Sequence, residues 1–285
     1  MISPRVLRRR IRSIQSTAKI TRAMEMIATA KMRRAQDQAL AGRPYSDKIT
    51  QVIADLAAEF GGDNAAHPLL EKRKINKIAV IHITSDRGLC GGLNANMNRL
   101  TARFALEQSV PITLITVGRK GRDFMYRQRL DVRAEFTKIS DRPSMLEILP
   151  ISRIIIDDYT SGYIDQVYLA YTRFVTTMVQ NPTLELLLPI EPATIPKTET
   201  KEFIYEPNPT FVLNELLPRY VEMRVYHAIL EAIASEQSAR MVAMRSATDN
   251  ANDVIEELTL ILNKARQEMI TKELLDITGG VESLH

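Results

Sequence analysis

"IEELTLILNKARQEM", residues 255–269, repeats its apolar residues at spacings of three and four, which is typical of a coiled-coil seam. The stretch lies inside residues 219–278, which contain neither Gly nor Pro and would span about 90 Å as one helix. Helices in globular proteins average about 11 to 12 residues, so a helix this long needs a partner along its length. The predicted seam residues are Ile255, Leu258, Leu262, Ala265 and Met269.

A second long helix is predicted at the other end of the chain. Residues 5–41 also lack Gly and Pro, and Ile11, Ile14 and Ala18, followed by Thr21, begin a similar apolar run. "GRP" at 42–44 predicts a kink or restart, and the helical pattern then continues to about residue 60, before Gly61 and Gly62. We expect the two terminal helices to pair antiparallel because both leave the same central domain. An alternative is that each forms a separate intermolecular coiled coil.

Charge is distributed very unevenly along the chain. Residues 1–34 carry ten Lys or Arg and the single acid Glu25, so this segment has a local charge of +9, against +4 for the whole protein. Such a block attracts phosphate backbones, anionic lipids or an acidic protein surface. The Arg-rich start also resembles a mitochondrial transit peptide, but the helical pattern continues without a break to residue 36.

An α/β segment is predicted between the terminal helices, over residues 76–207. Helical patterns at 93–108, 119–129 and 144–159 alternate with strands, and "RIIID" at 153–157 fits either structure. Residues 191–209 form a Pro-rich connector. Five strands are predicted, at 77–84, 111–118, 131–137, 166–174 and 183–190.

This alternation of strands and helices predicts a mostly parallel sheet with crossover helices. The predicted fold class is therefore α/β: a long antiparallel coiled coil of the N- and C-terminal helices plus a central Rossmann-like α/β domain. The predicted boundaries are 1–60 for the N-terminal shaft helix, 76–207 for the central domain and 209–285 for the C-terminal shaft helix.

The stretch most typical of an enzyme is "SDRGLCGGLN", residues 85–94, a glycine-rich turn between a strand and a helix. It matches neither the dinucleotide-binding pattern nor the P-loop, and no Lys follows the glycines to contact a phosphate. Cys90 is the only cysteine, which excludes an intrachain disulfide, and no motif connects it to any of the four His residues. We interpret Cys90 as a packing residue.

Metal, nucleic-acid and membrane sites have little support in the sequence. The pair Asp157 and Asp158 is more typical of a solvated surface than of a Mg²⁺ site, and the histidines lack metal-ligand spacing. The basic N-terminal run lacks interleaved aromatic residues and a recognition motif for nucleic acid. No apolar stretch reaches the roughly 18 residues of a membrane span, and we expect a protein that is cytosolic or peripheral to a membrane.

Three motifs together resemble the γ subunit family of the F-type ATP synthase. They are "TAKITRAMEMIATAKMRRAQ" (17–36), "SDRGLCGGLN" (85–94) and "SEQSARMVAMRSATDNANDVIEELTLILNKARQEMITKELLDITGG" (235–280). The order of helix, α/β domain and long helix also matches, so the resemblance covers the whole chain. Gly280 and Val281 stand where the family has Gly-Ala, and the lone Cys90 excludes the regulatory cysteine pair of chloroplast members, which favours a bacterial source.

The resemblance implies a rotor shaft that performs no bond chemistry and needs no cofactor or metal. The implied partners are the ATP synthase alpha and beta subunits, three of each, the epsilon subunit and the membrane c-ring, with the protein peripheral to the cytoplasmic side of the bacterial inner membrane. It places Lys31, Arg33 and Arg34 opposite acidic loops of the catalytic subunits. Arg87 and Cys90 are expected near a similar acidic loop at the foot of the ring. The residues that match upper shaft contacts are Arg240, Arg266, Gln267, Thr271 and Glu273.

The resemblance also gives residues 19–36 a physical interpretation. Alanine, methionine and isoleucine occur almost all round this predicted helix, so it has no single apolar face. A rotating shaft meets a different wall at every angle, and small or flexible apolar side chains suit such a surface. Two alternative classes remain: an α/β enzyme with helical arms, which needs an occupied pocket at 85–94, and a basic coiled-coil tether that binds nucleic acid or membrane.

Overall fold

The computed structural model describes residues 3–59, 67–191 and 205–282, and the chain divides into two compact units. Met1–Ala28 and Met241–His285 form the first, here called the shaft unit, and Thr29–Arg240 form the second, the α/β unit. The predicted helix end at Gly61 and Gly62 and most of the predicted connector at 191–209 lie outside the described residues.

Five α-helices and five β-strands make up the described chain, together with a short 3₁₀ helix at Pro68–Leu70. The helices are α1 (Pro4–Glu59), α2 (Leu93–Glu107), α3 (Arg119–Arg127), α4 (Met145–Thr160) and α5 (Pro209–Glu282). The strands are β1 (Ile78–Ile83), β2 (Ile112–Val117), β3 (Asp131–Phe136), β4 (Gln166–Phe174) and β5 (Gln180–Leu188).

The strands form one sheet in the order β3-β2-β1-β4-β5. β1 pairs in parallel with β2 and with β4, β2 pairs in parallel with β3, and β5 alone runs antiparallel, beside β4. Every residue of β1 is buried because apolar clusters cover both faces of the sheet. The mostly parallel sheet and the long terminal helices confirm the predicted fold class.

The larger apolar cluster joins one sheet face to the ends of both long helices that lie in the α/β unit. Ile53 and Leu56 of α1 and Leu217 and Val221 of α5 are each 0% exposed within it. At about 25 cal/mol per Å² of apolar surface buried, such side chains contribute roughly 1.5 to 3 kcal/mol each. The α/β unit therefore holds both terminal helices by hydrophobic packing.

Helix α1 continues through Pro44, so of the kink or restart predicted at 42–44 the restart is wrong, and the kink stays a prediction. Proline removes one backbone hydrogen bond from a helix, but packing against other elements can offset that loss. A Cβ atom on Gly42 would lie 3.0 Å from Cε1 of His227 on α5, so the glycine permits a close approach of the two helices. The pattern of residues along the chain cannot reveal this contact, because Gly42 and His227 are far apart in the sequence.

Side-chain caps fix the starts of α5 and α4. Helix α5 begins at Pro209, where the Asn208 side chain accepts a hydrogen bond from the Phe211 N–H at 2.8 Å, and it continues through Pro218 into the Gly- and Pro-free residues 219–278. The ambiguous residues 153–157 lie in α4. A capping box fixes the start of that helix, because the Ser144 side chain pairs with the Glu147 backbone and the Glu147 side chain with the Ser144 backbone.

In the shaft unit, α1 and α5 run antiparallel. The Thr21 and Thr248 hydroxyl oxygens lie 2.7 Å apart, and Arg245 Nε donates to Glu25 Oε1 at 2.9 Å, so the residue number falls on α5 as it rises on α1. Leu7, Ile11 and Leu258 are buried in the apolar cluster between the helices.

Candidate partner-contact surfaces

The carboxyl edge of the sheet is where an open α/β fold commonly binds a ligand. The chain runs outward from β1 to β2 and β3 and then returns to the other side of β1 as β4. The loops that follow β1 and β4 therefore flank the topological switch point. Any enzymatic activity of the α/β unit would be expected there.

In this protein α5 itself lies against both loops. The Ser235 hydroxyl donates to the Thr172 carbonyl oxygen at 3.0 Å, and the Ser238 hydroxyl donates to the Thr177 carbonyl oxygen at 2.8 Å. Both serines are 0% exposed. The crevice that an α/β enzyme would use for its substrate is thus occupied by the protein's own helix, as the loop between β4 and β5 packs on α5.

Arg240 connects α5 to the loop on the other side. Its Nη2 atom donates to the Gly88 carbonyl oxygen at 3.2 Å and to Glu236 Oε1 at 2.6 Å. Arg240 is 8% exposed, and burial raises the pKa of Glu236 while the charge of Arg240 and its hydrogen bond oppose that rise. The guanidinium predicted to contact a partner therefore faces its own chain in this structure.

Loop 85–94 is held in shape by its own side chains. The Ser85 N–H donates to Asn94 Oδ1 at 3.1 Å, and Asn94 Nδ2 donates to Ser85 Oγ at 2.7 Å and to Cys90 Sγ at 3.2 Å. Leu89 adopts a left-handed backbone conformation, with a φ of 63°, and its side chain is 61% exposed. Leu89 thus combines a left-handed backbone with an exposed apolar side chain in this loop.

Asp86 joins loop 85–94 to the start of α3 and to the segment after β3. Its two carboxylate oxygens accept from the Arg119 N–H at 2.9 Å and from the Lys138 N–H at 2.8 Å. Arg119 is the first residue of α3, so the positive end of that helix already has an anionic partner. Asp86 therefore fixes the loop after β1 to neighbouring elements of the α/β unit.

The Cys90 thiol lies beneath the loop surface and is 2% exposed. Burial raises its pKa, and the nearby Glu236 carboxylate raises it further, although Arg240 and hydrogen bonds from Ser85 and Asn94 act in the opposite direction. A nucleophilic cysteine needs a lowered pKa, so this environment suits packing instead. Of the loop residues assigned to partner contact, Arg87 is exposed and Cys90 is not.

The basic residues of α1 in the α/β unit differ in their surroundings. Lys31 forms an ion pair with Asp141 at 2.5 Å, with the lysine side chain 30% exposed. Arg33 and Arg34 are exposed, whereas Met32 and Ala35 are buried, so the helix turns a basic face outward. Of the three residues assigned to one partner contact, Lys31 is paired within the chain, whereas Arg33 and Arg34 are exposed.

The predicted seam residues lie along the shaft unit. Leu7, Ile11 and Leu258 form the buried centre, and Ile14, Ile255, Leu262 and Ala265 pack partly buried against it. Ala18 is 8% exposed, and Met269 is 46% exposed. The described apolar cluster therefore ends before Met269.

The part of α5 that follows the apolar cluster is exposed. Residues 266–275 are all exposed, which includes Arg266, Gln267, Thr271 and Glu273. The Thr271 hydroxyl donates to the Gln267 carbonyl oxygen at 2.9 Å, a bond along the same helix. These four residues belong to the shaft unit, whereas Lys31, Arg87 and Arg240 belong to the α/β unit.

The metal and histidine hypotheses can also be examined. Within the described ranges, no three His, Cys, Asp or Glu side chains come together as a metal site, and Asp158 pairs with Arg133 at 3.3 Å. His82 is buried between Asn98 Oδ1 at 2.9 Å and Thr101 Oγ1 at 3.0 Å. Burial lowers its pKa to about 4, against the Asn98 hydrogen bond, so this imidazole is a neutral core residue.

Sequence reasoning missed Asp86, Ser235, Glu236 and Ser238, which organise the carboxyl edge. A usable signal was present for the serines, since two small polar residues three positions apart share one face of a helix. Their acceptors are backbone carbonyl groups more than 60 positions away in the chain, and periodicity carries no information about them.

In the part of the chain that is described, no helix combines the length and apolar character needed to cross a bilayer.

Comparison with known proteins assigns the family. A family model described as ATP synthase matches residues 3–284. The chain is 62% identical to an ATP synthase gamma chain of Dehalococcoides mccartyi over 284 residues, covering 100% of both chains. It is 46% identical to that of Chloroflexus aurantiacus over 288 residues, covering 100% of this chain and 99% of the relative.

Solved structures give the same result at the level of the fold. One chain in the central stalk and c-ring structure of the Tetrahymena thermophila mitochondrial ATP synthase is 27% identical, with a TM-score of 0.62 over 80% of this chain and 99% of that one. A chain of the Euglena gracilis mitochondrial ATP synthase has the same fold, with a TM-score of 0.71, 20% identity and coverage of 99% and 94%. The chain described here therefore belongs to the ATP synthase gamma chain family.

Proposed function

We propose that this chain is the central rotor shaft of an F-type ATP synthase, which couples proton or sodium movement through the membrane sector to ATP synthesis. The observation that carries the proposal is the match to gamma chains along the full length, at 62% identity over 284 residues. The antiparallel shaft unit and the resemblance to central-stalk chains agree with it. A shaft with an asymmetric cross-section would bind alternative states of the surrounding catalytic sites unequally, which couples those sites through rotation.

The proposed role is non-catalytic. The carboxyl edge of the sheet, where an α/β enzyme would hold its substrate, is covered by α5. The Cys90 thiol is buried with a raised pKa. These features support a body that holds a helix in place and leave ATP chemistry to other subunits of the complex.

The proposed partners are the alpha and beta subunits, three of each, the epsilon subunit and the c-ring. Exposed Arg33, Arg34 and Arg87 would interact with acidic loops of the catalytic subunits, since exposed cations act at a distance on such surfaces. Lys31 would join them by exchanging its ion pair with Asp141. The upper contact would involve Arg266, Gln267, Thr271 and Glu273, all of which are exposed.

Arg240 and Cys90 take indirect roles in this proposal. Both are buried beneath loop 85–94, so they would support the loop that carries Arg87 and Leu89 to a partner. The complex is associated with a membrane, and we propose that this chain is peripheral to the cytoplasmic side of a bacterial inner membrane.

A charge-reversal experiment tests the proposed contacts. We expect Arg34→Glu to lower ATP-driven ion pumping in membrane vesicles, because an acidic loop would repel the new carboxylate. Arg99→Glu on α2 is the matched control, since Arg99 is an exposed arginine with no proposed contact. Equal pumping by the two variants would contradict the assignment of the basic face.

A second experiment separates the rotor from an enzyme. The purified chain should show no heat of ATP binding in titration calorimetry, and it should co-purify from native membranes with an ATP-hydrolysing complex. Micromolar affinity for ATP, or recovery of the chain without such a complex, would favour the α/β enzyme alternative.

A further inference from the structure

Helix α5 is held from two sides where it passes the carboxyl edge of the sheet. We call the set of contacts the clasp: Ser235 with Thr172, Ser238 with Thr177, and Arg240 with Gly88. The three donor-to-acceptor distances are 3.0, 2.8 and 3.2 Å. None of residues 235–240 is exposed, so water does not compete freely for these bonds.

The contacts lie on opposite faces of the helix. At 3.6 residues per turn, Arg240 is rotated by about 170° from the mean direction of Ser235 and Ser238. The serines bond to the end of β4 and to the loop between β4 and β5, whereas Arg240 bonds to the loop that follows β1. A helix bonded on opposite faces cannot roll about its own axis without breaking at least one set of bonds.

Each side of the clasp is itself braced. Gln180 Nε2 donates to Ser238 Oγ at 3.4 Å and to the Thr177 carbonyl oxygen at 3.0 Å, which fixes the loop between β4 and β5. On the other side, Glu236 Oε1 accepts from Arg240 at 2.6 Å and holds the guanidinium beneath Gly88. Hydrophobic packing alone would allow a helix to slide or roll, so these directional bonds add the rotational restraint.

We infer that Ser235, Ser238 and Arg240 are positioning residues that lock α5 against rotation relative to the sheet, so that torque passes between the α/β body and the helix beyond residue 240. This inference rests on the proposed rotor function. It assigns side chains that are buried within this chain a role in energy coupling. The loops that would bind a small ligand in an α/β enzyme here bind a helix of the same chain.

The test measures ATP hydrolysis and ATP-driven ion pumping on the same membrane vesicles that contain the whole complex. The first variant combines Ser235→Ala with Ser238→Ala. The second is Arg240→Lys, which keeps a cation for Glu236 but replaces the planar guanidinium, whose Nη2 atom donates to both Glu236 and the Gly88 carbonyl oxygen, with a compact ammonium on a flexible stem. Controls on exposed positions of the same helix are Ser246→Ala and Arg219→Lys.

We expect both clasp variants to pump fewer ions per ATP hydrolysed, while the controls match the parent complex. Amide hydrogen exchange over residues 172–180 should rise about fivefold for each hydrogen bond lost from the serines. A purely structural role would lower hydrolysis and pumping together through lower assembly, and would leave their ratio unchanged. An unchanged ratio in a variant with faster exchange would overturn the inference.

If the double serine variant does not assemble, Ser238→Ala and Arg240→Lys are measured alone by the same two readouts. The outcome also distinguishes the inference from the function on which it rests. Failure of the unmodified chain to co-purify with an ATP-hydrolysing complex would contradict the rotor function. A normal complex whose clasp variants keep the parent ratio would contradict only the clasp.

Discussion

Two segments of the single helix α5 have opposite surroundings. Residues 235–240 include no exposed position, and their polar side chains bond to fixed acceptors on both sides. Residues 266–275 are all exposed, although the segment contains Met269, Ile270, Leu274 and Leu275. The same secondary structure is therefore used once to fix a position and once to present a surface. Polar groups provide the fixed position because hydrogen bonds depend on direction, whereas apolar burial does not.

The largest effect is expected where the shaft unit relies on one apolar seam. Leu258→Asp places a charge at a position that is 8% exposed, and an unpaired buried charge costs roughly 3 kcal/mol or more. Thermal unfolding of the purified chain should show a separate, early transition of the shaft unit. Asn263→Asp on an exposed position of the same helix is the control and should change stability by under about 0.5 kcal/mol. Similar losses at both positions would show that Leu258 is not central to the seam.

The α/β unit should instead respond to pH through His82. Its pKa is lowered from 6.5 in the unfolded chain to about 4 in the folded protein, mainly by burial. The unfolded chain therefore binds more protons between pH 4 and pH 6.5. The stability that depends on neutral His82 is fully present above pH 6.5 and is lost as the pH falls toward 4. The difference corresponds to roughly 3 kcal/mol. Urea unfolding from pH 7 to pH 4 would measure it, and a His82→Gln variant that keeps the same pH dependence would contradict the assignment.

The sequence contained enough information for the sheet but not for the edge that binds α5. All five strands were predicted within a few residues because apolar, β-branched runs recur between helical patterns. The capping box at Ser144 and Glu147 was present in the sequence and would have assigned 153–157 to a helix. Pro44 was overweighted as a restart signal, since long-range packing maintains a helix that local propensity would interrupt.

The candidate contact residues show the same division. Exposed positions such as Arg34 and Arg266 were assigned from motifs. Their exposure in this chain is compatible with a partner contact but does not show one. Arg240 was assigned in the same way, but its direction depends on Gly88 and Glu236, and the loop partner is 152 positions away in the chain. Side-chain direction at a long-range contact follows from the fold, and a linear motif does not encode it.

Replacing the buried thiol of Cys90 should have a smaller effect on stability than Leu258→Asp. Cys90→Ser keeps a small side chain that can accept the Asn94 hydrogen bond, so we expect a loss of about 1 kcal/mol in stability and little change in coupled ATP synthesis. Synthesis by vesicles with the variant complex would check this. A loss of more than about tenfold at normal assembly would mean that the thiol itself has a function.

The smallest effect on stability, and the sharpest test of the comparison, is expected at the exposed tip of α5. Arg266→Ala removes a side chain from an exposed position just beyond the apolar cluster, so the free energy of unfolding should change by under about 0.5 kcal/mol. If the tip is a contact surface, the same variant should still lower coupled synthesis in vesicles, because the lost interaction is with another subunit. Arg99→Ala is the control that should change neither quantity. Normal synthesis by the Arg266 variant would remove this residue from the contact surface, whereas a large loss of stability would mean that the tip is packed within the chain.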